Sequence, residues 1–230
     1  MLSRRHCGLC PHFQELLHRI RMVLDRLRQV GLKVKPSKCE LFRTEVKFLG
    51  HQVSAYGIEP MPEKPDTISD WPTPRCLRDV RAFFGLASYY RRFVKNFASI
   101  AEPLTRMTKK FVKFEWTSEV QEAFNTLKAA LIDAPSLAFP NPHLPCIVDP
   151  DASNVAIGGV LSQVVEGVER PIAFFSRIMN SAQRQYCTTR RELLAVISTL
   201  QHFRHYLPLE NRPPQFEVVE NVQATRRNFG

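Results

Sequence analysis

No apolar run in the 230-residue chain approaches the ~18 residues a membrane-spanning helix needs, so none of it reads as a span. The opening stretch, MLSRRHCGLCPHFQELLHRI, lacks the long apolar core of a secretory signal. Its cysteines, at 7, 10, 39, 76, 146 and 187, form no disulfide framework, and a cytoplasmic or nuclear setting with reduced thiols is expected. Cys7 and Cys10, flanked by His6 and His12, have no second cysteine pair, so a zinc site is not expected. His202 and His205 lack the HExxH pattern and read as surface or half-buried residues. Internal repeats and low-complexity tracts are missing too. With 44% hydrophobic and 23% charged residues, the chain has a globular rather than a disordered composition.

What is present is positive charge, and it is uneven. Residues 1–110 hold 21 Lys or Arg against 10 Asp or Glu, while residues 111–230 hold 11 against 12. All of the +10 excess therefore lies in the first half, which suits a polyanion-gripping region beside a neutral module. A merely solubilising basic surface would look the same by charge alone.

The apolar positions of FQELLHRIRMVLDRLRQV (13–30) recur at helical spacing, with Gly31 as a stop. LKVKPSKCELF and then VKFLGHQVSAYGI read as short strands, with a tight turn or bulge near Gly50. Five prolines between 60 and 74 mark a connection between subdomains. Residues 75–97 read as a second helix, in which Tyr89 and Tyr90 mix with Arg91, Arg92 and Lys95. Aromatic rings among such cations suit a sugar-phosphate backbone, although the tyrosines also fit the edge of a core. Thr117 caps a third helix over 117–133. After a proline-rich connection, CIV, NVAIGGVLSQ and PIAFFSRIM read as three strands, then 183–206 as a helix and QFEVVEN (215–221) as a last strand.

DPDAS, at 149–153, places two carboxylates between the first two of these strands, and Glu192 stands near the start of the last helix. Two-metal phosphodiester chemistry needs carboxylates from separate elements, and Mg²⁺ prefers oxygen ligands. A turn-capping aspartate and a solvated helix glutamate are the competing reading.

The longer stretches carry more. DASNVAIGGVLSQ and RPIAFFSRIMNSAQRQYCTTRRELLAVISTLQHFRHYL resemble the RNase H domain of gypsy-type LTR retrotransposon polyproteins. GLKVKPSKCELFRTEVKFLGHQVSAYGIEP resembles the end of a reverse-transcriptase palm. WPTPRCLRDVRAFFGLASYYRRFVKNFASIAEPLTRMTKK resembles the thumb, and FEWTSEVQEAFNTLKAALIDAPSLAFPNP the segment that links it onward. The resemblance runs from about residue 12 to 207. It implies an α/β (α+β) fold: an incomplete palm over 1–59, a thumb-like region over 60–112, and a truncated RNase H-like mixed sheet with packed helices over 113–230, of which 208–230 is a divergent tail. It implies cleavage of RNA in an RNA–DNA hybrid with Mg²⁺ or Mn²⁺, read by backbone and shape. Asp151 and Glu192 match the first two metal-binding carboxylates. Phe48, Leu49, Gly50 and His51 match a segment that grips the primer strand.

Departures narrow those expectations. The paired-aspartate Tyr-x-Asp-Asp motif is missing, so no polymerase activity is expected of this chain alone. Pro150 stands where the family has a threonine, and Asp149 is an additional acid. Glu220 or Asn221 is the nearest candidate for a third ligand, and a neutral Asn binds Mg²⁺ weakly. Hydrolysis is therefore expected to be weak or lost, and a non-catalytic nucleic-acid-binding remnant is the alternative. Neither membrane association nor any particular oligomeric state is implied.

Overall fold

Leu16, Ile20, Val23 and Leu27 recur every third or fourth residue, which puts them along one stripe of α1 (Phe13–Gln29) in the computed structural model. The structure describes residues 13–41, 43–61 and 68–207, and the backbone of 216–218. Its residues divide into two units between Tyr56 and Gly57. In the first unit, α1 ends at Gly31, whose φ of 70° lets Leu32 N–H return to the Leu27 carbonyl at 2.9 Å. No residue of α1 is buried. Among the described residues of 32–42 the expected strand is not formed. Pro36 opens a single 3-10 turn (Pro36–Lys38) instead, because proline offers no N–H to a ladder. Strands β1 (Val46–Phe48) and β2 (His51–Ser54) form a hairpin in the register Val46↔Val53 and Phe48↔His51. Its two-residue turn has positive φ at both positions, Leu49 at 46° and Gly50 at 72°, as a type I′ turn requires.

The second unit begins with β3 (Gly57–Pro60), where Ile58 and Leu137 exchange backbone hydrogen bonds of 2.8 and 2.9 Å. The helix expected over 75–97 is broken into pieces. Helix α2 (Leu77–Tyr89) gives way to a 3-10 turn (Arg91–Phe93), and α3 (Phe97–Ile100) starts after Asn96, at a φ of 54°. The chain breaks twice here, and Phe83, Tyr90, Phe93, Val94 and Phe97 are all buried. Next come α4 (Glu102–Met107) and α5 (Ser118–Ile132), the latter capped by Thr117 Oγ1, which accepts from Val120 N–H.

The sheet that follows has β4 (Cys146–Ala152), β5 (Ala156–Val165) and β6 (Val168–Ile178) in antiparallel order. A fourth strand, β7 (Phe216–Val218), lies parallel to β4 on its other side. The expected helix over 183–206 is two helices, α6 (Ser181–Arg184) and α7 (Thr188–Phe203). Asp149, Pro150 and Asp151 lie inside β4 rather than in a turn after it. The turn comes at Ser153–Val155, where Ser153 Oγ accepts from Ala156 N–H at 2.9 Å. Against one face of the sheet packs the core built by α2–α5, with Phe174 of β6 resting on it. Against the other packs α7, through Ala195 on Ile157 and through Phe203 in the cluster of Val148 and Leu161.

Candidate functional site

Two glycines reveal which way the β4 carboxylates point. Gly158 lies opposite Asp151, and a Cβ added there would come within 2.8 Å of Asn96 Oδ1. Gly159 lies opposite Pro150, and a Cβ there would come within 2.4 Å of Thr199 Cγ2 on α7. Alternation along the strand thus sends Asp149 and Asp151 toward the Lys95–Ile100 segment, and Pro150 toward α7. Asn96 Nδ2 donates to Asp151 Oδ2 at 3.0 Å, and Lys95 Nζ stands 3.9 Å from Asp149 Oδ2. Asp149 Oδ1 is buried without a hydrogen-bond partner. Burial raises the Asp149 carboxyl pKa from its ordinary value. Asp151 and Glu169 push the same way, and Lys95 opposes them.

Glu192 is exposed, on the first turns of α7. Its neighbour Arg191 bonds Asn154 Oδ1 at 2.5 Å and the Ser153 carbonyl at 3.4 Å, so Glu192 and Asp151 stand at the same end of the sheet. Among the described residues, no three His, Cys, Asp or Glu side chains come together to hold a metal ion. The neighbours of Asp149 and Asp151 are donors, an amide N–H and an ammonium, where a divalent cation needs further oxygen acceptors. The described residues therefore do not fit a two-ion centre. Glu220 and Asn221 lie outside the described residues.

The outward side of α2 is of another kind. Arg78, Arg81, Gly85 and Tyr89 are exposed and recur at helical spacing on one side of it. Nothing lies within 4 Å of a Cβ added to Gly85, so the fold does not require glycine there. The Tyr89 ring meets Tyr90 edge-on at 5.0 Å. Tyr90 itself is a correction to the sequence reading: it is 1% exposed and belongs to the core, so its ring offers no surface to a partner. Arg91 is committed elsewhere, since its guanidinium donates to the Ser176 carbonyl and lies over the Phe97 ring. Arg92 lies over Phe93. Sequence reasoning passed over Arg78, Arg81 and Gly85, although their helical spacing with Tyr89 was there to find. It also passed over Phe111, fully exposed at a φ of 65° with Lys109, Lys110 and Lys113 close by in sequence, for which no periodic signal exists. In the first unit, Phe48 and Leu49 are exposed at the hairpin turn and His51 is half-buried.

Comparison with known proteins agrees with this architecture. The model of the RNase H-like domain found in reverse transcriptase matches residues 116–214. Over those residues the chain is similar to that family. Beyond this RNase H-like domain, the similarity spans most of the chain. It is 41% identical over 194 residues to the retrovirus-related Pol polyprotein from transposon 297 of Drosophila melanogaster, covering 84% of this chain and 18% of that protein. The transposon Tf2-3 polyprotein of Schizosaccharomyces pombe is 32% identical over 194 residues, with 84% of this chain and 15% of that protein covered. The chain thus spans less than a fifth of these relatives and is related to retrotransposon Pol polyproteins. Among solved structures, the foamy viral protease-reverse transcriptase in complex with RNA/DNA hybrid superposes with a TM-score of 0.74 at 26% identity, over 92% of this chain and 28% of that one. The expected α/β architecture with an RNase H-like sheet stands.

Proposed function

We propose that this chain is a nucleic-acid-binding piece of a gypsy-type Pol polyprotein that grips an RNA–DNA hybrid by its backbone without hydrolysing it. The outward face of α2 carries the reading: two guanidiniums for phosphates, an exposed ring, and a glycine that lets a backbone approach closely. The foamy viral relative in complex with an RNA/DNA hybrid and the basic first half of the chain support the same substrate class. Phe111 with its lysines and, in the first unit, the Phe48–His51 turn are further contacts in this scheme. Free Cys39, Cys76, Cys146 and Cys187 suit a cytoplasmic or nuclear setting. The parts expected from the resemblance, a palm-derived 1–59, a thumb-like 60–112 and an RNase H-like 113–230, are retained here as a proposal.

A second reading, metal-dependent cleavage with Mg²⁺ or Mn²⁺ on Asp151 and Glu192, draws on their shared end of the sheet. One experiment separates the two. The protein is mixed with a labelled hybrid in magnesium, then in manganese, and bound and cut fractions are measured. Binding that weakens in Arg81→Gln, with no cutting, is the expected result. Cutting that disappears in Asp151→Asn would install the nuclease instead, and no binding at all would remove both.

A further inference from the structure

The carboxylates at the end of β4 already have a cationic partner inside the chain. We propose that Lys95 supplies the positive charge a metal ion would otherwise bring to Asp149 and Asp151, so that these acids act as a clasp holding residues 91–100 against the sheet. The clasp has several polar points. Asn96 Nδ2 donates to Asp151 at 3.0 Å, and Lys95 Nζ stands 3.9 Å from Asp149. Ala98 N–H donates to Ser176 Oγ at 3.0 Å, and the Ser99 and Ser153 hydroxyls meet at 3.0 Å. Arg91 reaches the Ser176 carbonyl from the near end of the same segment.

Asn96 adopts a left-handed backbone, φ 54°, and that bend is what aims its amide at β4. Gly158 leaves room for the approach, because a side chain there would strike Asn96 Oδ1. Asp149 Oδ1 has no donor, so Lys95 is the cation that offsets this half-buried carboxylate. Two acids two residues apart on one face of a strand repel each other unless a cation stands beside them. A resident ammonium meets that need without a free ion, at the cost of the coordination space an ion would use. The clasp rests on side-chain geometry and not on hybrid binding, so either proposal can fail alone.

The test is a thermal unfolding series on the full chain, with and without millimolar magnesium. The wild-type midpoint should stay where it is when magnesium is added. Lys95→Gln should melt lower by about 3 °C, the shift expected of roughly 1 kcal/mol in a chain of this size, and magnesium should restore much of that loss. Asp149→Asn in the Lys95→Gln background should abolish the magnesium response. A wild-type protein stabilised by magnesium as strongly as Lys95→Gln would overturn the proposal, as would a Lys95→Gln midpoint equal to the wild type. If Lys95→Gln does not fold, Lys95→Arg, which keeps the charge, decides: it should fold and ignore magnesium, and a magnesium-dependent Lys95→Arg also overturns the clasp.

Discussion

Gly85 is the residue whose presence local physics explains least. A glycine inside a helix costs about 1 kcal/mol relative to alanine, and here nothing crowds the missing Cβ. Gly85→Ala should therefore stabilise the chain by about 1 kcal/mol in urea unfolding while weakening its hold on a hybrid. Stabilisation with unchanged binding would place the contact elsewhere. His202 makes a different kind of prediction. Its ring stacks on Phe175 at 4.4 Å and meets Phe203 at 5.1 Å. Burial, with Arg91 and His205 adding to it, lowers its pKa below the ordinary 6.5. The folded state thus prefers the neutral ring. The stability this gives is complete above 6.5 and drains away as pH falls through the lowered folded value. Urea midpoints measured across mildly acidic pH should drop on acidification, and His202→Gln should flatten that slope.

Among the elements, α7 and the sheet are held at close tolerance. Thr199 Oγ1 donates to the Gly158 carbonyl at 3.2 Å, and Thr199 Cγ2 occupies the space of any side chain at 159. Gly159→Val should cost about 3 kcal/mol or prevent folding, read from the urea midpoint, because overpacking there pushes the helix off the sheet. Elements also differ in how legible they are in the sequence. Helix α5, with Thr117 as cap and Ala123, Phe124, Leu127 and Leu131 inward, was legible because a single face is buried. The strand expected over 32–42 failed because alternation of Leu32 and Val34 looks like a strand, yet Pro36 denies it a ladder. The break at Asn96 was illegible, since Phe83, Tyr90, Phe93, Val94 and Phe97 would also share one face of an unbroken helix. At the site, Asp149 and Asp151 were visible as acids, but their face was not. Strand parity sets the face, and the sequence reading had placed them in a turn.

For the whole molecule, charge governs how binding responds to salt. The excess of positive charge over residues 1–110 should make log affinity for a hybrid fall linearly with log salt. Each phosphate contact contributes about 0.9 to that slope, so Arg81→Gln should reduce it by about one. A slope unchanged by Arg81→Gln would mean that this guanidinium touches no phosphate.

Phe174 on β6 rests on the same buried cluster as Phe83, Phe93, Phe97 and Phe124. The stretch resembling a thumb and the sheet resembling a nuclease should therefore open as one unit. In native-state hydrogen exchange, amides of α2 and of β6 should share a single opening free energy and lose protection together as denaturant is raised. Mobility in this half of the chain then has to come from loops and helix ends. Within the second unit, the α2–α5 helices and the sheet should not breathe separately, because the seam where they would come apart runs through the phenylalanine cluster.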